Sequence, residues 1–499
     1  MRVVFVYGAY ENLGIEYLSA VLKQHGYDTK LVFDPLLFND HIVYVPLLDK
    51  LFSYRDKVVK QVIRLNPDVV CFSVISDDYG WACDLAKQIK NIVDVPIVFG
   101  GIHPTSVPEI VIRNKFVDFV VVGEGEYALL DIVMCLESGK PCNNIPNVWL
   151  KKDGKIIRNN VRKLVQNLDK LPFTDKDLFY RTVPLYFYTE YSIMTSRGCP
   201  YRCSYCNNSY LRDIYSGKGA YLRRRSVDNV IEELNERKDK YNIRYIHFDD
   251  EIFTYDIKWL EEFALRYRKE IDVPFFCWVH PVTINKKTVS LLKKAGCSEV
   301  EMGVQTINER VRRDVLNRFV SNRQIKDAIR LLNRENIWIT TDNIFQIPGQ
   351  SEDDIIELAR FYNENRVDLI QVYWLRYYPK TKIVGIAKNF GIITEEDIHR
   401  LNQNQNSKSF CVGGDTFRRD IAKLHNLILL IHYLPKSAID FIIEKKLYKF
   451  LPPWRTFAIN LLINNLKGYV FWNSKKRRYL RKKFAYRYLA YIPRRFWIG

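Results

Sequence analysis

Three cysteines close together constrain this chain more than any other feature. Cys199, Cys203 and Cys206 form the pattern C-x3-C-x2-C. Three thiolates at these spacings suit a four-iron four-sulfur cluster, because a loop can wrap one corner of a cubane, whereas a regular helix or strand would not present all three thiols together. A cubane usually takes four cysteines, so one iron would keep an open position for a substrate or a cofactor.

Two other uses of these cysteines are open from the spacing alone. A structural zinc site would need a fourth ligand, usually from a second C-x2-C or H-x3-H pair. No such pair stands nearby, and His247 and His280 are isolated in the sequence. A disulfide would leave an odd cysteine and would need an oxidising compartment. The spacing therefore favours the cluster over zinc and over inert thiols.

The cysteine spacing, with Tyr205 directly before the last cysteine, resembles the radical SAM enzymes. The resemblance implies that the amino and carboxylate groups of S-adenosylmethionine chelate the open iron. It implies that one electron from the cluster cleaves the sulfonium to a 5′-deoxyadenosyl radical. It also implies an electron donor such as a flavodoxin or a ferredoxin.

Residues 1–140 are predicted to form a doubly wound, Rossmann-like α/β domain. Short apolar runs alternate with helical patterns, and this alternation is typical of a parallel sheet. The runs lie at residues 1–7, 29–33, 68–75, 96–99 and 119–122. Ligands bind such sheets beyond the carboxyl ends of the strands. No G-x-G-x-x-G motif follows the first run, which argues against a dinucleotide.

The strand ends of this domain resemble the cobalamin-binding domain that precedes many radical SAM cores. The residues that carry this resemblance are Ser73, Gly100, Gly101, Gly123 and Glu124. Better-known cobalamin proteins have D-x-H-x-x-G in the first loop, where the histidine ligates cobalt. When the motif is aligned on Gly14, this chain has Ala9 in place of the Asp and Glu11 in place of the His. This departure resembles the radical SAM branch, where the motif is usually missing. His103 is the competing cobalt ligand, and a degenerate sheet without a ligand is the alternative.

The middle of the chain divides into a linker and a second α/β domain. Residues 141–188 are predicted to be a linker with a hairpin, because Asp153 and Gly154 form a turn signal between two apolar runs. Residues 189–400 show about six strand–helix repeats, fewer than the eight of a closed barrel. The radical SAM resemblance implies a partial (β/α)6 barrel here.

Polar residues just past the strands line the active face of a barrel. The candidates here are Asp249, Asp250, Glu251, Gly303, Gln305, Thr306 and Gly349. A carboxylate could accept hydrogen bonds from the ammonium group of S-adenosylmethionine, and Gln305 or Thr306 could reach its ribose or carboxylate. Gly349 would admit the adenine edge. Each residue alone could instead be a strand cap or part of a solvated loop.

The positive charge of the chain is concentrated at its C-terminal end. The formal net charge is +19, and residues 445–499 contain 15 Lys and Arg with no Asp or Glu. Residues 401–499 are predicted to form a helical, basic region. A solvated cap on the barrel, contact with an anionic membrane, and contact with RNA or an acidic partner are all open.

These features together predict a cytoplasmic, cobalamin-dependent radical SAM enzyme. We see no signal peptide and no apolar run long enough to span a membrane, and the scattered cysteines suit a reducing cytosol. The resemblance favours methylation of an unactivated carbon through a 5′-deoxyadenosyl radical and methylcobalamin. Ring closure or oxidation, as in the anaerobic magnesium-protoporphyrin ester cyclases, and a non-catalytic cobalamin-binding regulator are the alternatives. A lipid, a peptide and a small metabolite are all open as substrates.

Overall fold

The structure is a computed structural model. It describes residues 1–8, 10–39, 45–183, 190–403, 418–452 and 487–492. The predictions that concern Ala9 and the basic, aromatic run at residues 474–486 lie outside the described residues.

The first sheet has seven strands. They are β1 (Arg2–Gly8), β2 (Asp28–Asp34), β3 (Val69–Ser73), β4 (Ile97–Gly100), β5 (Phe119–Val121), β6 (Val148–Lys152) and β7 (Lys155–Arg158). Their order is β2-β1-β3-β4-β5-β6-β7; the first five run parallel, and β6 and β7 add an antiparallel hairpin at one edge. The predicted hairpin is therefore present, and both of its turn residues, Asp153 and Gly154, have positive φ of 49° and 71°, as a type I′ turn requires.

Helices cover both faces of this sheet. They are α1 (Leu13–Gln24), α2 (Pro46–Leu51), α3 (Arg55–Arg64), α4 (Tyr79–Lys90), α5 (Ile102–Ser106), α6 (Pro108–Ile112) and α7 (Glu126–Glu137). Because side chains alternate along a strand, Val3 and Phe5 of β1 enter one apolar cluster while Val4 and Val6 enter the other. Burial on both faces confirms the predicted doubly wound fold.

The second large sheet has six strands, all paired in parallel. The strands of this part of the chain are β8 (Glu190–Ile193), β9 (Ser196–Arg197), β10 (Arg223–Arg224), β11 (Tyr245–Phe248), β12 (Phe275–Val279), β13 (Cys297–Gln305), β14 (Trp338–Phe345) and β15 (Leu369–Trp374). The order in the sheet is β15-β14-β13-β12-β11-β8, and β9 and β10 form a separate antiparallel pair. In the described residues β8 and β15 are its outer strands, so the sheet is an open barrel as predicted.

The remaining helices belong to the linker, the barrel and the C-terminal region. They are α8 (Lys176–Tyr180), α9 (Asn207–Ile214), α10 (Val227–Lys240), α11 (Ile257–Glu270), α12 (Lys286–Ala295), α13 (Asn322–Arg334), α14 (Glu352–Glu364), α15 (Lys382–Asn389), α16 (Glu395–Asn402), α17 (Arg419–Leu430) and α18 (Lys436–Glu444). Aromatic residues dominate the layer under α11, where the rings of Phe248 and Phe263 meet edge to face at 5.4 Å. Such pairs contribute about 0.5–1.5 kcal/mol beyond burial.

A buried ion pair fastens α8 to the first domain. The Lys176 ammonium is fully buried and lies 2.7 Å from carboxylate oxygens of both Glu11 and Glu16. Removing one partner from such a pair typically costs about 3–5 kcal/mol, because a charge is left buried without compensation. The linker helix α8 is therefore held against the first loop of the first sheet.

The described part of the C-terminal region packs against both domains. Helices α17 and α18 contact α14, and residues 487–492 are helical and lie against the first domain. There the Arg487 guanidinium stacks 5.2 Å from the Tyr10 ring, and the Tyr54 hydroxyl donates to the Tyr491 carbonyl. None of the described helices has the length and apolar character that spanning a bilayer would take.

Candidate active site

The three motif cysteines lie in one loop between β9 and α9. Cys203 is buried, Cys199 and Cys206 are half-buried, and all three are free thiols. In the described residues no three His, Cys, Asp or Glu side chains converge closely enough to hold a single metal ion. Thiolates are the ligands that iron–sulfur clusters take, and here all three come from one loop.

Burial makes the thiols hard to ionise in the absence of a cation. It raises the pKa of Cys199 to about 11 and that of Cys206 to about 12. Nearby groups favour negative charge on sulfur: Arg318 donates from Nη1 to Cys203 Sγ at 3.8 Å, and Asn208 donates from Nδ2 to Cys206 Sγ at 3.8 Å. Since metal coordination deprotonates a thiol outright, this donor set suits iron ligation.

Contacts with a neighbouring segment fix the shape of the cysteine loop. The Ser204 hydroxyl donates to the Val315 carbonyl at 2.6 Å, and the Ser204 N–H donates to the Leu316 carbonyl at 2.9 Å. Tyr205 packs against the apolar cluster that contains Val311 and Val315. Val315 ends a π-helical turn at Val311–Val315, and Leu316 directly follows it; such turns are frequent at functional sites.

One cavity joins the two domains beside this loop. Its volume is about 380 Å³. The first domain contributes all five residues predicted to contact cobalamin, which are Ser73, Gly100, Gly101, Gly123 and Glu124. The second domain contributes Gly198, Asn208, Asp249 and Glu251. The structure thus brings the two predicted sets together at the carboxyl ends of the strands.

At two positions in the cavity wall, neighbouring atoms lie so close to the backbone that only glycine fits. Gly101 has φ of +100°, and a Cβ there would lie 2.7 Å from the backbone N and O of Val74. Gly123 has φ of +81°, and a Cβ there would overlap the hydroxyl of Tyr215. Glycine tolerates this region of φ without a steric penalty. The Tyr215 contact ties the cavity wall of the first domain to the segment that follows the cysteine loop.

Glu124 reaches the second domain through an ion-pair network. Its carboxylate accepts from Arg223 Nη2 at 2.6 Å and Nη1 at 3.2 Å, and Arg197 lies at 3.4 Å. Burial alone would raise the pKa of Glu124, but the two guanidinium groups outweigh it and hold that pKa below its usual range. Arg197 also pairs with Glu126. The two arginines were missed by the sequence prediction, although the run Arg223-Arg-Arg225 was a signal.

The three adjacent carboxylates after β11 divide between two environments. Asp249 and Glu251 line the cavity. Burial raises the pKa of Glu251, and a hydrogen bond with Asn208 partly offsets this rise. Asp250 is buried and accepts hydrogen bonds from the Thr195 N–H at 3.1 Å and from the Ser196 hydroxyl. Asp250 therefore braces the strand end that leads into the cysteine loop, whereas its neighbours face the cavity.

The remaining predicted contacts lie at the ends of β13 and β14, away from the lining of this cavity. Gly303 accepts from Arg318 Nη2 through its carbonyl at 2.6 Å. Gln305 is buried with φ of 69°, and the fully buried Thr306 accepts from Gln350 Nε2 at 3.4 Å. Gly349 sits in the turn after β14 against the ring of Phe390. Their role toward S-adenosylmethionine stays a prediction.

Neither His103 nor Glu11, the residue in the place of the ligating histidine, lines the cavity. His103 is fully buried, its Nδ1 lies 3.1 Å from Ser76 Oγ, and its ring lies 4.3 Å from that of Tyr79. Burial lowers the pKa of His103 to about 4, so its ring is neutral. Glu11 is committed to the ion pair with Lys176. The described cavity lining contains no histidine.

We expect cobalamin to bind without a protein nitrogen on the cobalt. The reason is that His103 points into the core with Ser76 and Tyr79 instead of into the cavity. Electron paramagnetic resonance of the cobalt(II) form, with and without ¹⁵N-labelled histidine, tests this. The spectrum should be identical in both preparations and in His103→Ala. A change in the number of superhyperfine lines on labelling, lost in His103→Ala, would refute it.

Comparison with known proteins agrees with both halves of the site. The model of the radical SAM superfamily matches residues 193–362, and the model of the B12-binding domain matches residues 2–133. An uncharacterized methyltransferase of Pyrococcus horikoshii is 28% identical over 386 residues, which span 76% of this chain and 79% of that protein. The anaerobic magnesium-protoporphyrin IX monomethyl ester cyclase of Rubrivivax gelatinosus is 24% identical over 408 residues, spanning 76% of this chain and 68% of that one.

A solved structure shares the fold of nearly the whole chain. It is OxsB, a cobalamin-dependent S-adenosylmethionine radical enzyme with aqua-cobalamin and S-adenosylmethionine bound. The TM-score is 0.62 at 15% identity, with 97% of this chain and 74% of that chain covered. The two matching domains, the cysteine loop and the shared cavity lead to one conclusion: the chain belongs to the radical SAM enzymes that carry an N-terminal B12-binding domain.

Proposed function

We propose that this protein transfers a methyl group to an unactivated carbon of its substrate. The observation that carries the proposal is the cavity of about 380 Å³, whose walls come from both the B12-binding domain and the cysteine-loop side of the barrel. A substrate in this cavity meets both cofactor sites at once. Holding the reacting groups together in this way supplies a large part of the rate enhancement of an enzyme.

Each wall of the site has a task in this proposal. Cys199, Cys203 and Cys206 hold the cluster, and Glu251 presents a carboxylate to the ammonium group of S-adenosylmethionine. Gly100 leaves the floor of the first domain open for the corrin ring. When bound, the cofactors supply a 5′-deoxyadenosyl radical and a methyl donor. The residues of the chain bind these groups, orient the substrate between them and exclude water.

Apolar side chains protect the space in which a radical would form. The cavity lining includes Tyr17, Leu18, Phe72, Met194 and Leu211. Two of these residues come from α1, one from β3, and two from the segments that flank the cysteine loop. A dry, shaped site prevents side reactions of reactive intermediates. The few polar groups at its edge, including Arg197 and Glu251, then fix the orientation of what binds.

Ring closure is the second candidate, because a cyclase is among the similar proteins. The two reactions differ in what happens to S-adenosylmethionine. A methyltransferase of the proposed kind consumes one molecule to make the radical and a second to restore the methyl group on cobalt. It therefore forms S-adenosylhomocysteine together with 5′-deoxyadenosine, whereas a cyclase forms no S-adenosylhomocysteine.

Labelled methionine tests the proposal even while the substrate is unidentified. Cells that contain the wild-type protein or Cys203→Ala are grown with trideuteromethyl-methionine under anaerobic conditions, and their extracts are compared by mass spectrometry. We expect a compound that carries an added trideuteromethyl group in the wild-type cells alone. A new ring or an oxidised product in place of the methylated one would contradict methyl transfer.

The partners and the location of the protein are also proposals. We propose that it works in the cytoplasm, in line with the free thiols of the described cysteines. We propose that an acidic flavodoxin or ferredoxin supplies its electrons. The 15 cations of residues 445–499 support contact with an anionic membrane surface. Residues 487–492 pack on the first domain, so truncating the tail would also remove these packing contacts. Neutralising its Lys and Arg residues is therefore the better test of membrane contact.

A further inference from the structure

One short segment carries a net positive charge. Residues 309–330 contain seven Lys and Arg and three Asp and Glu. The net charge of this segment is therefore +4, in a body that is nearly neutral as a whole, with 61 Lys and Arg and 57 Asp and Glu over residues 1–444.

The same segment lies directly against the cysteine loop. Besides its hydrogen bonds with Ser204, it donates from Asn317 Nδ2 to the Arg202 carbonyl at 2.6 Å. Arg318 contacts Cys203 Sγ at 3.8 Å. Arg312 is fully buried and holds the turn by donating from Nε to the Val320 carbonyl at 2.9 Å. Part of the positive charge thus stabilises the loop. The other cations lie at the surface, where Arg313 pairs with Asp314, and Arg323 and Arg330 pair with Asp327.

The outer side of the segment is cationic with one apolar residue in it. We call it the cationic face, and its residues are Arg310, Arg313, Phe319, Arg323, Lys326 and Arg330. Phe319 is 67% exposed, although it directly follows the arginine that contacts Cys203. Arg323 is 92% exposed and Arg330 is 61% exposed. A groove of about 850 Å³ between α13 and α14 extends this face toward Arg334 and Arg366.

We propose that the cationic face docks the acidic protein that reduces the cluster by one electron. This inference rests on the proposed function, since radical formation from S-adenosylmethionine consumes an electron delivered from outside. The electron donor protein loses one electron and the cluster gains it, with no other bond made or broken. Electron transfer slows steeply with distance, so the electron donor must bind beside the cysteine loop.

Two features of the cationic face fit such a partner. The cations of this face outnumber the acidic residues among them, and a net positive surface steers an acidic partner and raises its association rate. An exposed aromatic residue inside a charged rim is typical of an energetic centre of an interface. Phe319 stands in that position, next to Arg318 and hence to Cys203. The cationic face could therefore attract an acidic protein by its charge, bind it through Phe319 and hold it close to the cluster.

Charge reversal tests the docking face in the full-length protein with its cluster in place. The test variant is Arg313→Glu/Lys326→Glu/Arg330→Glu. The control variant is Lys60→Glu/Arg64→Glu/Lys87→Glu, which changes the net charge equally at exposed positions of the first domain. The rate of cluster reduction is measured by stopped flow with a reduced acidic flavodoxin, and separately with dithionite, a small reductant that needs no docking surface.

We expect reduction by flavodoxin to slow roughly tenfold or more in the test variant at low salt. It should stay within about twofold of the wild type in the control variant, and the dithionite rate should not change in either. High salt should narrow the difference, because exposed charges are screened. Phe319→Ser should slow reduction by flavodoxin even at high salt, because its contribution is apolar.

Three outcomes would overturn the inference. Equal rates of reduction by flavodoxin in the wild type and the test variant would exclude docking at this face. An equal decrease of this rate in the test and control variants would show that only the net charge of the protein matters. Loss of RNA binding by the test variant with an unchanged flavodoxin rate would assign the face to nucleic acid. Failure of the proposed function would look different, since the cluster would then be reduced normally by flavodoxin without formation of a methylated product.

Discussion

Replacing Cys203 by Ala is expected to remove the iron–sulfur cluster and to abolish cleavage of S-adenosylmethionine. Cys203 is the most buried cysteine of the loop, at 7% exposure, and lies against the Arg318 guanidinium. The loss of one of three thiolate ligands leaves two iron positions without protein ligands. It also leaves the buried Arg318 charge without its sulfur partner, and a buried unpaired charge is costly.

Iron and sulfide analysis of the anaerobically purified protein measures the first part of this result. The wild type should contain about four irons and four sulfides per chain, and Cys203→Ala should contain almost none. The matched control is Cys135→Ala, which removes a half-buried thiol on α7 that belongs to no metal motif. Retention of a full cluster in Cys203→Ala, or its loss in Cys135→Ala, would contradict the assignment of the loop.

The sequence was informative where local patterns decide structure. The cysteine loop lies outside regular elements because α9 starts only at Asn207, after the last cysteine. The apolar runs of the first domain became strands, and the run at residues 1–7 is β1 displaced by one residue. Short apolar runs and alternating polar and apolar residues depend on a few neighbouring residues, so strands can be predicted from a single sequence.

The sequence was less informative where distant residues meet. Glu124, which was predicted to contact cobalamin, lines the cavity, and Arg223, 99 positions away, also binds its carboxylate through two hydrogen bonds. This ion pair depends on how the two domains pack against each other, and a local sequence pattern does not predict that packing. The three carboxylates after β11 were treated as one group, although side chains alternate along an extended segment. That alternation sends Asp250 toward Thr195 and leaves Asp249 and Glu251 on the cavity wall.

Filling the cavity at Gly100 is expected to release cobalamin while the cluster stays intact. Gly100 ends β4 in the cavity wall, and a Cβ built there meets only Val121 Cβ, at 3.7 Å. The backbone therefore accepts a side chain, and Gly100→Leu should fold with its isobutyl group in the space proposed for the corrin. Overpacking costs about 1–3 kcal/mol, which corresponds to a weakening of cobalamin binding by about 5-fold to 150-fold.

Absorbance of cobalamin retained after gel filtration measures this loss, and iron analysis of the same sample reports the cluster. Gly100→Ala should retain most of the cobalamin, because one methyl group at ordinary contact distance takes little room. Gly80→Leu is the matched control, since a Cβ there meets no atom within 4 Å and Gly80 lies on α4, outside the cavity lining. Full retention of cobalamin by Gly100→Leu would place the corrin elsewhere. A parallel loss of cobalamin in Gly80→Leu would show that the binding domain responds to its overall packing, and the cavity at Gly100 would then have no special part in holding the cofactor.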